Sequence, residues 1–146
     1  MFTVTLDDYL APHREKYGHL LGPDMIRSAE RMVDAVNSML SRVIQHGIRL
    51  EASPITGTLL TSGWRPAAYN ATIPNASPSS LHIFCKAADL YDPHGEIDEW
   101  ALDEAGREHG GALGELGLWL EHPAATRRWC HVQLQPPRSG RRVFLP

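Results

Sequence analysis

The 146-residue sequence predicts an α+β fold in which a small, mainly antiparallel sheet is packed by a long N-terminal helix and a second helix. Two patterns predict it: apolar residues recur with helical spacing in two segments, and short apolar runs bounded by turn-forming residues mark several strands. A chain of this length suits a single domain, because it buries roughly 68–70% of its unfolded surface. We therefore expect one domain over residues 1–146, with residues 1–22 as an N-terminal arm and residues 135–146 as a C-terminal tail.

The first long helix has the clearest signal. Pro23 and Asp24 suit its start and Gly47 its end. Between them apolar residues recur at alternating four- and three-residue steps, and a second apolar row widens the face, which is typical of a helix packed in a core. The first row is Met25, Ala29, Met32, Val36, Met39 and Val43, and the second is Ile26, Val33, Leu40 and Ile44.

The remaining elements are shorter. Residues 62–80 form a long loop without helical or strand period, and loops of that length in compact domains are usually functional or disordered. A second helix is predicted from Glu96 to about His109, with its acidic residues on a solvated face, and a glycine-rich bridge follows it. The strand candidates are residues 48–50, 58–61, 86–91, 118–120 and 129–134, and the apolar residues 143–145 of the tail can pack on the core.

Composition and charge exclude several classes of protein. With 42% hydrophobic residues, 21% charged residues and a net charge of −3, the chain is ordinary for a soluble globular protein. No apolar run approaches the ~20 residues that span a bilayer, and residues 1–18 lack the basic stretch and apolar run of a signal peptide. We expect no membrane and no nucleic-acid partner, because an acidic chain is poorly suited to a phosphate backbone. Eight histidines direct attention to metal ligands, whereas two cysteines are too few for a disulfide framework.

Two histidines and one aspartate have the placement of metal ligands. His82 ends the long loop and Asp89 lies in the following strand, so a loop–strand crossing can bring imidazole and carboxylate together. On the strand 129–134, alternation places His131 opposite the apolar Cys130 and Val132, which suit the core. We therefore expect His131 to face a site. Together with a water, His82, Asp89 and His131 make a four-coordinate catalytic zinc site, with one zinc ion per chain.

Three motifs in order carry a family resemblance. They are Ser62-Gly63-Trp64-Arg65, then Ser80-x-His82 with Asp89 seven residues after the histidine, and then Trp129-x-His131. In this order they resemble the zinc D-alanyl-D-alanine carboxypeptidase and L-alanyl-D-glutamate endopeptidase family, above all its small phage-encoded members. The resemblance covers about residues 55–135. It implies the hedgehog-like DD-peptidase fold, zinc held by the three ligands above, and hydrolysis of an amide bond in peptidoglycan stem peptides.

The resemblance also implies roles for four further residues. Arg65 becomes the positive group beside the substrate carbonyl or carboxylate, with a structural salt bridge as the alternative. Ser80 supports His82 or the loop turn by hydrogen bonding, and we place it with Arg65 and Trp129 among the substrate-binding residues. Glu121, ten residues before His131, is our candidate general base from the preceding strand. Alternatively, Glu121 is a surface carboxylate and His122 or His109 is the base.

Two positions depart from the family pattern. Many members have an acidic base three residues before the last histidine, where this chain has Arg128, which cannot accept a proton. The family's glycine between the first histidine and the aspartate is Cys85 here, so we expect the loop to run differently. Cys85 is interpreted as a buried inert thiol, with a sulfur ligand and a disulfide to Cys130 as open alternatives.

These observations lead to two expectations of function. The first is a monomeric zinc peptidase of phage type, an endolysin-like lysis protein or a virion protein, made in the host cytoplasm and acting at the cell wall or in the virion. The second is a non-catalytic zinc-binding module of the same fold, serving as a phage structural or assembly protein, which Arg128 and Cys85 favour. A DNA-binding phage protein is a third option, and the acidic balance argues against it.

Overall fold

Six helices and a five-stranded sheet make up the described part of the computed structural model, residues 3–11 and 13–146. The strands are ordered β1-β2-β4-β3-β5; all neighbours are antiparallel except β3 and β5, which are parallel. The α+β class and the mainly antiparallel sheet are confirmed. In chain order the elements are α1 (Leu6–Leu10), α2 (Arg14–Tyr17), α3 (Pro23–Gln45), β1 (Leu60–Ser62), α4 (Ala67–Asn70), β2 (Ala87–Tyr91), α5 (Glu96–Ala105), α6 (Gly111–Leu116), β3 (Trp119–Glu121), β4 (Trp129–Gln133) and β5 (Val143–Phe144), with 3-10 turns at Gly18–Leu20, Leu81–Phe84 and Glu108–Gly110.

Helix α3 is the long helix that the sequence predicts. It begins with Pro23 at its first turn and ends at Gln45, and Gly47 follows it with a left-handed φ of 92°. Its predicted apolar face is largely buried, although Ile44 is exposed. The buried residues of α3 pack with the inner side of the sheet, on which Leu90, Leu120 and Val132 are also fully buried.

The first two predicted strands are wrong in detail. Residues 48–50 form no strand, because the Ile48 amide donates to the Val43 carbonyl and closes the end of α3. Strand β1 begins at Leu60 rather than at Thr58. The Thr58 hydroxyl accepts from the Leu60 amide and the Thr56 hydroxyl donates to the Leu60 carbonyl, so side chains of the preceding turn bind the outer edge of β1.

Several segments expected to be irregular are ordered by local bonds. The long loop contains the helical turn α4, and the Asn70 side-chain amide donates to the Ser77 carbonyl across the loop. Helix α5 ends at Ala105, short of the predicted His109, because Gly106 caps it. The glycine-rich bridge forms α6, and the tail adds the short strand β5 beside β3.

The N-terminal arm is part of the core. Tyr9 and Leu10 of α1 are almost completely buried. The Val4 amide donates to the Asn37 side-chain oxygen of α3, and the Asn37 side-chain amide donates to the Val4 carbonyl, both at 2.8 Å. Within the described residues no helix is both long enough and apolar enough to cross a membrane.

Candidate metal centre

His82, Asp89 and His131 meet at one point, as the sequence predicts. Each offers one ligand atom, and these atoms lie within 4.8 Å of one another. His82 and Asp89 are buried, and the side chain of His131 is only 12% exposed. Two imidazoles and a carboxylate form a donor set that could hold a metal ion.

Sheet register brings two of the ligands together with Glu121. Asp89 of β2 lies directly opposite His131 of β4. Leu120 of β3 pairs with Val132 of β4, so one step along this antiparallel pair places Glu121 beside His131. A carboxylate, an imidazole and a second carboxylate therefore form a row across three adjacent strands.

His82 reaches the row from the turn that precedes β2. It lies in the 3-10 turn Leu81–Phe84, where the Ser80 hydroxyl accepts from its amide at 3.3 Å. Cys85 then turns the chain into β2 with a left-handed φ of 59°. Cysteine thus adopts at this position the left-handed conformation that favours glycine, and the expected difference in the course of the loop stays a prediction.

The hydrogen bonds of His82 leave one ring nitrogen free. Its Nδ1 lies 2.7 Å from the Gly63 carbonyl oxygen, which only accepts, so Nδ1 carries the proton. In the neutral ring, the form that binds a metal ion, Nε2 then presents its lone pair; this buried atom lies 3.3 Å from Asp89 Oδ2 and makes no hydrogen bond. A buried acceptor without a donor is costly, and a metal ion held with Asp89 and His131 would satisfy it.

His131 is held between two acceptors. Its Nδ1 lies 2.8 Å from Asp89 Oδ1, and its Nε2 lies 3.0 Å from Gln133 Oε1. The Gln133 side-chain amide in turn donates to the Gln135 carbonyl at 2.8 Å, which fixes the orientation of its oxygen. Burial lowers the pKa of His131, but the hydrogen bond and charge of Asp89 outweigh it and leave the pKa above its usual value.

The two carboxylates of the row differ in their electrostatics. Burial raises the pKa of Asp89, but the positive charges that His82 and His131 carry when protonated, and their hydrogen bonds, outweigh burial and hold the pKa well below its usual value. Glu121 Oε2 lies 3.9 Å from His131 Nδ1, and burial raises the pKa of Glu121 above its usual value. Asp89 is thus the ligand-like anion of the row, and Glu121 is the stronger proton acceptor.

A groove of about 720 Å³ runs along the site, and Asp89, Arg65 and Trp129 all line it. The Arg65 Nη2 donates to the Ser80 hydroxyl at 3.2 Å, and its Nε is buried without a partner. Among the described residues no carboxylate lies within 4.0 Å of the Arg65 guanidinium, so the alternative of a structural salt bridge finds no support. Ser80 does not line the groove but supports His82 and Arg65.

The cysteines and the alternative bases lie outside the cluster. Cys85 and Cys130 are free, buried thiols, so the disulfide is not formed, and burial raises the pKa of Cys85 to about 12. His122 Nδ1 accepts from the Ala124 amide, and the His109 side chain is 92% exposed beside Glu108. Of the candidate bases, Glu121 is the one that the structure brings to His131.

Sequence reasoning missed Gln133 and Gly63 as partners of the ligands. Alternation along β4 could have indicated Gln133, because it shares a strand face with His131. Gly63 belongs to the first of the three motifs, but the pattern does not indicate its contact with His82, because it acts through its backbone carbonyl. The acidic residues of α5 were expected on a solvated face, but Asp98 is buried, with its Oδ2 accepting from the Thr126 hydroxyl at 3.0 Å.

No protein-family model, curated protein or solved structure matches the chain. The resemblance of the three motifs to zinc peptidases therefore stays a prediction. The case for a metal centre rests on the geometry of His82, Asp89 and His131.

Proposed function

We propose that the chain is a zinc-dependent peptidase with the hedgehog-like DD-peptidase fold, which hydrolyses an amide bond in peptidoglycan stem peptides. The bond is of the D-Ala-D-Ala or the L-Ala-D-Glu type, and the resemblance of the motifs favours a phage lysis or virion protein. The observation that carries the proposal is the unpartnered, buried Nε2 of His82, which faces Asp89 and His131 beside an open groove.

Zinc fits the donor set better than magnesium or calcium, which prefer oxygen ligands alone. His82, through Nε2, Asp89 and His131, through Nδ1, would hold the ion. In this arrangement the Nε2–H of His131 donates to Gln133, and the Nδ1–H of His82 donates to Gly63. A bound zinc ion supplies Lewis acidity, polarising the scissile carbonyl and lowering the pKa of a water toward ~7.

Glu121 is the proton carrier of the proposed reaction. Its carboxylate stands beside His131 on the neighbouring strand, and partial burial makes it a better base than an exposed glutamate. Oε2 takes the proton of the attacking water and passes it to the nitrogen of the leaving amine. The neighbouring strand thus supplies the acid that Arg128 cannot provide at the family's usual position.

Arg65 is the anion-binding group of the groove. With no ion-pair partner in the part of the chain that the structure describes, its guanidinium is available to hold a substrate carboxylate or the oxyanion that develops during attack. Trp129 offers an apolar wall on the same groove. The groove therefore brings a cation and an apolar wall to Asp89, and His131 joins Asp89 to Glu121 across the sheet.

The test is cleavage of defined peptides by the purified, zinc-loaded protein. The substrates are a pentapeptide stem ending in D-Ala-D-Ala and an L-Ala-γ-D-Glu stem, with products identified by mass spectrometry. We expect cleavage of one of the two bonds, loss of cleavage with a chelator, and its return when zinc is restored. Folded protein with one zinc ion per chain that cuts neither bond would instead support the non-catalytic module.

A further inference from the structure

We propose that Tyr9, together with Gly63, is a positioning residue of the metal centre, so that the N-terminal arm holds two of the three ligands in place. The inference rests on the zinc centre of the proposed function but needs no peptide hydrolysis. It assigns a role in the site to the segment that the sequence predicts to be an N-terminal arm.

The Tyr9 hydroxyl reaches the strand that carries Asp89. Tyr9 is 1% exposed, and its hydroxyl donates to the Ala87 carbonyl at 2.6 Å. Ala87 is the first residue of β2, and Asp89 is two residues further along the same strand. This hydrogen bond therefore ties the beginning of the ligand-bearing strand to α1.

The Tyr9 backbone holds the segment that contacts His82. Its carbonyl accepts from the Trp64 amide at 2.9 Å. A Cβ atom on Gly63 would lie 2.4 Å from the Tyr9 carbonyl oxygen and 3.0 Å from both the carbonyl carbon and the Cα of Tyr9. Glycine is thus required at position 63 because the two backbones are in direct contact.

The same segment fixes the orientation of the His82 ring. The Gly63 carbonyl accepts from His82 Nδ1 at 2.7 Å, and the Arg65 amide donates to the His82 carbonyl at 3.2 Å. The ring and the backbone of the ligand are both bonded to residues 63–65, which themselves lie against Tyr9. A shift of Tyr9 or Gly63 would rotate Nε2 away from Asp89.

The arm is itself firmly placed. Thr5 and Asp8 form a reciprocal capping box at the start of α1. Val4 makes two hydrogen bonds to the Asn37 side chain of α3. Tyr9 therefore transmits the position of the long helix to both ligand-bearing segments.

Gly63→Ala and Tyr9→Phe test the proposal, with Gly18→Ala and Tyr17→Phe as controls. Position 18 leaves room for a Cβ, 3.6 Å from the nearest atom, and Tyr17 lies on α2. Zinc affinity is measured by competition with a chromophoric chelator, and ligand geometry by the visible absorption of the cobalt-substituted protein. We expect zinc affinity to fall by about 10–100-fold in Gly63→Ala and by about tenfold in Tyr9→Phe, with an altered cobalt spectrum, while both controls match the wild type.

The outcomes separate positioning from stability. If both variants lose thermal stability but keep wild-type zinc affinity and cobalt spectrum, the proposal is overturned. If Gly63→Ala does not fold, Tyr9→Phe decides alone. A wild-type protein that binds no zinc overturns this proposal and the proposed function together, whereas one that binds zinc and cleaves no peptide overturns only the proposed function.

Discussion

Strand β4 separates two buried carboxylates whose pKa values are shifted in opposite directions. Asp89 lies on the groove side with two imidazoles as neighbours, and its pKa is well below the usual value. Asp98 of α5 interacts with Cys130, on the apolar side of β4, and burial raises its pKa to about 6, with the Thr126 hydroxyl partly opposing the shift. Burial raises the pKa of both groups, so the neighbouring imidazoles account for the low pKa of Asp89, the anion that could hold a metal ion.

The largest expected effect is on zinc binding by Asp89→Asn. The amide keeps the size of the side chain but loses its charge. Loss of a group that hydrogen-bonds to a metal ligand weakens metal binding by up to about 100-fold, and we expect the apparent Kd for zinc to rise by more than this when a ligand itself is changed. Asp98→Asn is the matched control and should bind zinc as the wild type does. Chelator competition measures both, and equal affinities for the two variants would remove the distinction between the two sides of β4.

Glu121→Gln should show the next largest effect, on turnover. The amide cannot accept a proton at neutral pH, so we expect kcat on the cleaved stem peptide to fall by about 10²–10⁴-fold. Zinc should remain bound at one ion per chain. Glu108→Gln, which changes an exposed carboxylate, serves as the control. Full turnover by Glu121→Gln would assign the proton transfer to another group.

Gln133→Leu tests the partner of His131 on the groove side. Without the amide oxygen, Nε2–H of His131 has no fixed acceptor, and we expect zinc affinity to fall by about 10–100-fold. Gln45→Leu, at the exposed end of α3, is the control for the same chemical change. An unchanged Kd in Gln133→Leu would show that the bond to Gln133 does not orient His131 for metal binding.

The smallest expected effect is the pH dependence of stability due to Asp98. Its pKa is about 6 in the folded state, against about 3.9 when unfolded. Between these values the folded state binds more protons, so this group makes the free energy of unfolding fall as pH rises from about 4 to about 6. Asp92 and Glu121 add to the upward shift of the Asp98 pKa.

Asp98→Asn should flatten that pH dependence, because the side chain no longer titrates. Urea unfolding of the metal-free protein at several pH values within the window measures it, with the exposed Asp34→Asn as control. The contribution of Asp89 has the opposite sign, since its lowered pKa stabilises the fold above about pH 4 and is lost as the pH falls further. A wild-type slope in Asp98→Asn would mean that other groups dominate the window.

The residues that could hold a metal ion were easier to predict from the sequence than the contacts that support them. Motif order and strand alternation pointed to His82, Asp89 and His131, and Glu121 was predicted from the strand that precedes β4 along the chain. The contact of Gly63 with Tyr9 depends on two distant backbones meeting, which no local pattern encodes. The burial of Asp98 was likewise hidden, because its partner Thr126 lies 28 residues away on a separate turn.

Local conformation was easiest to predict where a periodic apolar face determines it, and hardest where side chains of a turn bond to nearby backbone groups. The periodicity of α3 was sufficient because its apolar face meets a core along most of its length. The start of β1 was misplaced because Thr56 and Thr58 lie in a turn, whose hydroxyls bond to the carbonyl and amide of Leu60. Cys85 shows the same limit, since it occupies a left-handed conformation that residue type alone disfavours.

The hydroxyls of Thr56 and Thr58 also affect whether β1 can pair with a strand of another copy of the protein. β1 is an outer strand of the sheet, and an exposed outer strand invites pairing with a neighbouring molecule. The amide and carbonyl of Leu60 are already bonded to Thr58 and Thr56, so an incoming chain would have to displace those hydroxyls. The opposite outer strand, β5, is only two residues long. Neither outer strand therefore offers a long row of free backbone groups for edge-to-edge aggregation, although the groove leaves β1 accessible to a peptide.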